Sequence, residues 1–370
     1  EGTLPFHVPG HKGGKGIPEF RAFVGENVLS IDVTSGLLDL DTICNPRGVI
    51  QEAEDLAARA FGADHAHFLV NGTTSGIQAM ILSVAGPGDE IIIPRNAHRS
   101  VIGGLILSGV RPVYIKPVID NYMGIAMGIT PESVRRAIVE HPNAKAVFVI
   151  NPTYYGVASD LRKIVEIAHS YGKPVIVDEA HGAHLGFHPD LPLSAMEAGA
   201  DMSAVSVHKL LGSMTQSSLL LVKSDFIDDR KVKAAMNLTQ TTSPSYPLMA
   251  SIDVARKQMA LNGRELLQRT IELCEDARKQ LNAIKGLYVM RKEVEGTEGC
   301  FALDPTKIAI NLREIGLSGF ETEKLLKYEY HIQMELSDLY NVLAVVSIGD
   351  NEESVSVLIN AIKDIVQKYG

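Results

Sequence analysis

In the first two-thirds of the chain, apolar residues fall at consecutive rather than alternate positions in short runs, at 67–70, 90–94, 146–150 and 174–177. Gly, Pro, Asn or Asp bounds each run. A strand that is apolar on both faces is buried on both, as in a parallel sheet covered by helices. Helical patterns such as 51–60 separate the runs. Together they predict an α/β domain with a mostly parallel sheet and helices on both faces. Residues 1–48 differ: they are rich in Gly and Pro, as in His7-Val8-Pro9-Gly10-His11-Lys12-Gly13-Gly14, hold no sustained period and predict an irregular arm.

After Pro247 a helical pattern runs to about Ile284, with Arg264, Arg269, Glu272 and Arg278 on its polar side, until Gly286 breaks it. From Leu287 the order is strand, strand, helix (319–328), strand (343–348) and helix (353–368), which predicts a smaller α+β domain. The expected division is an arm at 1–48, a large domain at 49–250, a connecting helix at 251–285 and a small domain at 286–370. There is no internal repeat, low-complexity tract or heptad array.

Composition narrows the function. With 370 residues, 45% of them hydrophobic, and a mean hydropathy of +0.08, the chain can fill at least one large core. The net charge of −9 is spread along the chain, which argues against nucleic acid or an anionic membrane as the main partner. Cys44, Cys274 and Cys300 are far apart and odd in number, so neither a disulfide framework nor a paired-cysteine metal site is expected, and a reducing cytoplasm fits. No apolar stretch reaches the roughly 18 residues of a membrane span, and the N-terminus lacks the order of a signal peptide. A soluble protein is expected. The first residue is Glu1 rather than Met, so a trimmed or partial polypeptide is expected.

Chemistry-bearing residues gather where predicted strands end. Lys209, in Ser206-Val207-His208-Lys209, follows an apolar run flanked by serines, a setting that strips water from an ammonium and makes it a nucleophilic amine. Taken alone it reads as a lysine snorkelling from a strand end. Asp178 is the first charged residue after the run at 175–177. A carboxylate there can pair with a pyridinium nitrogen and make the ring an electron sink, or it can serve as a helix cap or metal ligand. Ligands of open α/β sheets gather at the carboxyl ends of strands, where both residues are expected.

Two more segments fit the same site. In Asn71-Gly72-Thr73-Thr74-Ser75-Gly76 a strand passes into a helix through hydroxyls, so that its first amides with Thr74 and Ser75 can cradle a phosphate, joined by donors from Ser206 and His208. Alone, such hydroxyls are ordinary caps. Neither a Walker A loop nor a GxGxxG fingerprint is present. His98 follows the run at 90–94 and can stack on a flat heteroaromatic ring, in a chain without Trp.

These motifs occur in the order 71–76, Gly88-Asp89-Glu90-Ile91, His98, Asn151-Pro152-Thr153-Tyr154-Tyr155-Gly156, Asp178-Glu179-Ala180-His181-Gly182-Ala183-His184 and 206–209. In that order they resemble fold-type I pyridoxal-5′-phosphate (PLP) enzymes. More narrowly, with Phe6-His7-Val8-Pro9-Gly10-His11-Lys12-Gly13 and Thr241-Thr242-Ser243-Pro244-Ser245-Tyr246, the chain resembles the Orn/Lys/Arg decarboxylase family in its compact Gram-positive form, over nearly its whole length. The resemblance implies a Schiff base on Lys209, Asp178 at the pyridine nitrogen, and His98 stacked on the ring. It implies Thr74, Ser75, Ser206 and His208 at the phosphate, Ala180 on the opposite ring face and His181 near the phenolic oxygen. It also implies a homodimer or higher homo-oligomer, with Thr242 and Ser243 reaching a neighbour's site. The implied reaction is decarboxylation of arginine or lysine, before ornithine, to a polyamine precursor. The family's pattern continues past Gly370 into a further C-terminal domain with a Pro-Gly-Ile-Pro type segment, which is expected to be missing here.

Three rivals carry their own marks. His181, His184 and His188 beside Asp178 and Glu179 are spaced like helical metal ligands, but Gly182 and Gly186 oppose a regular helix and Lys209 would be idle; no metal is expected. A binding or scaffold protein would leave Lys209 underivatised. An aminotransferase or aldolase of the same fold would share the electron sink and break a different bond.

Overall fold

The four apolar runs all become strands, because consecutive apolar residues have hydrophobic cover on both sides. The computed structural model describes residues 4–34, 37, 40–223 and 225–369. Its main sheet has seven strands: β1 (His65–Leu69), β2 (Glu90–Pro94), β3 (Arg111–Ile115), β4 (Val147–Ile150), β5 (Val175–Asp178), β6 (Met202–Val205) and β7 (Ser218–Val222), in the order β1-β7-β6-β5-β4-β2-β3. Alternate residues of β5 show the double burial. Val175 and Val177 enter one core cluster and Ile176 enters the other across the sheet.

The sheet is parallel from β6 through β3, while β7 runs antiparallel to both neighbours. This reversal was not legible in the runs, and it matters for the site. Because β7 starts at the end where β6 finishes, the whole connection 206–217 stays at the carboxyl edge of the sheet.

Three expectations need correction. The arm is not wholly irregular, since Pro18–Val24 and Glu26–Ser30 are helices. Pro18 suits a first helical turn, and Gly25, at φ 86°, separates the two. The long helix is Tyr246–Asn282, but Arg278 does not lie on its polar side. It is buried, and its guanidinium donates to the carbonyls of Met290 (3.0 Å), Pro305 and Lys307 (2.5 Å). Satisfied donors, not solvent, accommodate the charge. The strand expected at 343–348 is Asn341–Val345, shifted toward the N-terminus because it pairs with Lys307–Asn311 and with a short edge strand, Leu336–Ser337. With Tyr288–Val289 these form a four-stranded antiparallel sheet, packed with the helices Gly319–Glu329 and Glu352–Tyr369. Among the described residues no helix is long and apolar enough to cross a membrane.

One buried ion pair locks β1 to its helices. His67 Nε2 lies 2.6 Å from Asp229 and its Nδ1 3.8 Å from Glu54. Burial opposes its charge, but the hydrogen bonds and charges of Asp229 and Glu54 prevail and push its pKa up to about 9. The folded pKa is above the unfolded value, so this stabilisation is full below about pH 6.5 and is lost as pH rises through about 9. His67→Gln should therefore cost about 3 kcal/mol in slightly acid buffer. Thermal melts should show the gap from wild type shrinking as pH rises. A gap independent of pH would mean that His67 is neutral in the folded protein.

Candidate active site

Four connections deliver side chains to one edge of the sheet. Asp178 ends β5, level with Ile150 of β4. Lys209 sits in a single helical turn, Val207–Leu210, just after β6. Gly72, at φ 74°, opens the helix Gly72–Val84 directly after β1, in a conformation that disfavours any Cβ. His98 is the N-cap of the helix Arg99–Ser108, its Nδ1 accepting the Ser100 amide at 3.2 Å.

These groups surround a cavity of about 700 Å³. Its walls include Thr74, His98, Asp178 and Ala180, and, from the loop side, His181, Ser206, His208 and Lys209. Ser75 is not among them; its hydroxyl donates to the Gly72 carbonyl at 2.9 Å. Thr73 lines the wall instead, its hydroxyl 2.5 Å from that of Ser206 and 2.9 Å from that of Ser218. Thr242 and Ser243 are exposed and outside this wall.

The electrostatics follow from burial. Asp178 is buried, and burial pushes its pKa up against the Ala180 amide, which donates to it at 3.1 Å, and the nearby His98 and Lys209 side chains. Burial likewise pulls Lys209 down; Asp178 and Glu335 oppose this, and Lys307 adds to it. His181 Nε2 is 2.6 Å from Lys209 Nζ. Burial and the nearby charges of Lys209 and Lys307 hold its pKa well below the histidine range, so it is neutral. His208 is also lowered by burial, and its Nδ1–H donates to the Ser217 carbonyl at 2.8 Å.

Two wall residues carry buried polar atoms with no protein partner, Asn96 Oδ1 and His181 Nδ1. Such atoms are costly to bury unless a ligand or water satisfies them. The donor set matches a planar ring bearing a cationic nitrogen, for Asp178, and an anionic tail, for the amides and hydroxyls at Thr73, Thr74 and Ser206. A reactive carbonyl would complete the match at Lys209.

The sequence motifs assign no role to Tyr154 and Tyr155, which the structure places at the cavity. The Tyr154 ring centroid is 4.0 Å from that of His181 and 5.3 Å from Lys209 Nζ, and burial, with the nearby Glu335 carboxylate, pushes the Tyr154 pKa up. Tyr155 lines the cavity and donates to Asp338. The signal was available, because both follow the run at 146–150 and a strand's carboxyl end is where wall residues belong.

Residues 1–354 match the family described as Orn/Lys/Arg decarboxylase, major domain. The chain is 50% identical over 366 residues to an arginine decarboxylase of Bacillus subtilis, covering 99% of this chain and 74% of that protein. It is 50% identical over 370 residues to an arginine decarboxylase of Halalkalibacterium halodurans, covering 99% and 75%. The crystal structure of a Francisella novicida lysine decarboxylase superposes with a TM-score of 0.86 at 26% identity, over 99% of this chain and 58% of that one.

Proposed function

The chain belongs to the Orn/Lys/Arg decarboxylase family, and on that premise we propose that it removes the α-carboxyl group of a basic amino acid, arginine or lysine before ornithine, with PLP held covalently at Lys209. The observation that carries this reading is the convergence of a buried carboxylate, Asp178, and a desolvated amine, Lys209, on the walls of one cavity. When bound, PLP supplies the sink for the electrons left at Cα as carbon dioxide departs.

The chain's own groups then divide the work. Asp178 keeps a proton on the ring nitrogen, since a buried anion is stabilised by a cation at hydrogen-bond distance. The Thr73, Thr74 and Ser206 region holds the phosphate at the start of a helix. His98 and Ala180 enclose the ring from its two faces. His181 offers its unpartnered Nδ1 to an oxygen of the ring. Glu335, near Tyr154, and Asp338, bonded to Tyr155, place negative charge beside the cavity, which suits a substrate ending in a cation.

In this reading the large domain, 49–250, carries the cofactor, and the small domain, 286–370, supplies the acidic edge. The enzyme works in the cytoplasm as a homodimer at least, with Thr242 and Ser243 turned to a neighbour's cavity. The test is release of labelled carbon dioxide from carboxyl-labelled arginine, lysine and ornithine, with the amine measured in parallel. Labelled gas and amine in equal amounts are expected. Keto acid without labelled gas would make the protein an aminotransferase.

A further inference from the structure

Directly beneath the cavity lies a fully buried charge cluster that the reading above does not use. Asp304 and Lys307 have side chains with 0% exposure, and Lys307 Nζ is 3.1 Å from Asp304 Oδ2. The same carboxylate oxygen is 3.1 Å from His184 Nε2, also at 0% exposure, and its other oxygen accepts from the Thr306 hydroxyl at 2.7 Å. Lys307 Nζ donates in addition to the His181 carbonyl at 3.4 Å. His181 therefore touches two lysines, Lys307 through its backbone and Lys209 through its imidazole.

We propose that Lys307 is a positioning residue for Lys209, anchoring the loop that carries His181 so that the imidazole is held against the Lys209 amine. The surroundings make this anchor stiff. Arg278 holds the carbonyls of Pro305 and Lys307 from one side. On the other, Gly156, at φ 85°, packs so closely that an added Cβ would meet the Asp304 carbonyl at 2.9 Å and the Lys307 side chain at 3.0 Å. A buried ion pair contributes little net stability against apolar replacements of similar size, so the cluster's use is better sought in the neighbours it orients. Lys307 also biases the charge above it. The groups facing Lys209 are Asp178 and Glu335, which favour its ammonium; Lys307, which opposes it; and the side chains of His181, Tyr154 and His208. Removing Lys307 thus removes both the anchor and the opposing charge.

This inference rests on the assignment of Lys209 as the reactive amine, and its test does not need turnover. Lys307→Met alone would leave the Asp304 carboxylate buried without its cation, so the informative variant is the double one, Asp304→Asn with Lys307→Met. It removes both charges while keeping an acceptor oxygen for Thr306 and an amide NH2 from which His184 Nε2 can accept as the other tautomer. In cofactor-free protein, the rate at which an acylating reagent labels Lys209, followed by mass spectrometry across pH, reports the fraction of free amine. The double variant should melt within a few degrees of the wild type. Its Lys209 should be labelled about threefold more slowly or worse near neutral pH, with its titration displaced upward. In the loaded enzyme kcat should fall about tenfold with KM less affected. An unchanged Lys209 titration would overturn the proposal, even with activity lost, and would leave the cluster a structural one. Normal titration shifts in a protein that decarboxylates nothing would instead sink the functional reading and leave this one intact.

Discussion

Replacing Lys209 with alanine is expected to lower turnover by about 10⁴-fold or more while leaving the fold in place. Among the described residues of the cavity wall the amine is the only nucleophile of its kind, and Lys307, the nearby alternative, is sealed below with Asp304 at 0% exposure. Stability should not suffer, because the substitution removes a half-buried cation whose charge is already disfavoured by burial, and its one hydrogen-bond partner is His181. Borohydride reduction of the PLP-loaded protein followed by peptide mapping should label Lys209 in the wild type and nothing in the variant. A reducible adduct that persists at another lysine, with turnover, would reassign the nucleophile.

Asp178→Asn is the next largest effect, with kcat expected to fall by about 10³-fold, or roughly 4 kcal/mol of barrier. The amide matches the carboxylate in shape and can still accept the Ala180 amide, so cofactor binding and the melting temperature should persist. What it cannot do is hold a proton on a ring nitrogen by charge. Since burial already raises Asp178 above the usual carboxylate range, the variant should be at least as stable as the wild type in the absence of cofactor. Retained absorbance of the bound cofactor with lost turnover is the signature to look for. A loss smaller than tenfold would give Asp178 another role.

Legibility of the site tracked how local each residue's cause was. Asp178 and Lys209 were readable because each follows an apolar run, and the end of a buried strand is a local fact. Ser75, expected at the phosphate, does not line the cavity, whereas Thr73 does. Both are hydroxyls in the first turn of one helix, and which one faces the cavity depends on the helix's rotation against β6 and β7, where Ser206 and Ser218 capture Thr73. Arg278 was read as a surface residue because its neighbours in sequence are polar. Only the packing of 305–307 against its helix shows three carbonyls waiting for it.

The sequence by itself determined four of the main sheet's seven strands, their double burial, the α/β class and the family, since consecutive apolar positions and ordered motifs are properties of the chain alone. Tertiary structure decided the rest. The reversal of β7 keeps the Lys209 connection at the carboxyl edge, the approach of residues 335–338 brings acid to Tyr154 and Tyr155, and the burial of Asp304 and Lys307 sets charge beneath His181. Each joins segments more than 100 residues apart or depends on strand direction, and a pairing of that kind is chosen by how the whole sheet and its helices close, not by any run of neighbouring residues.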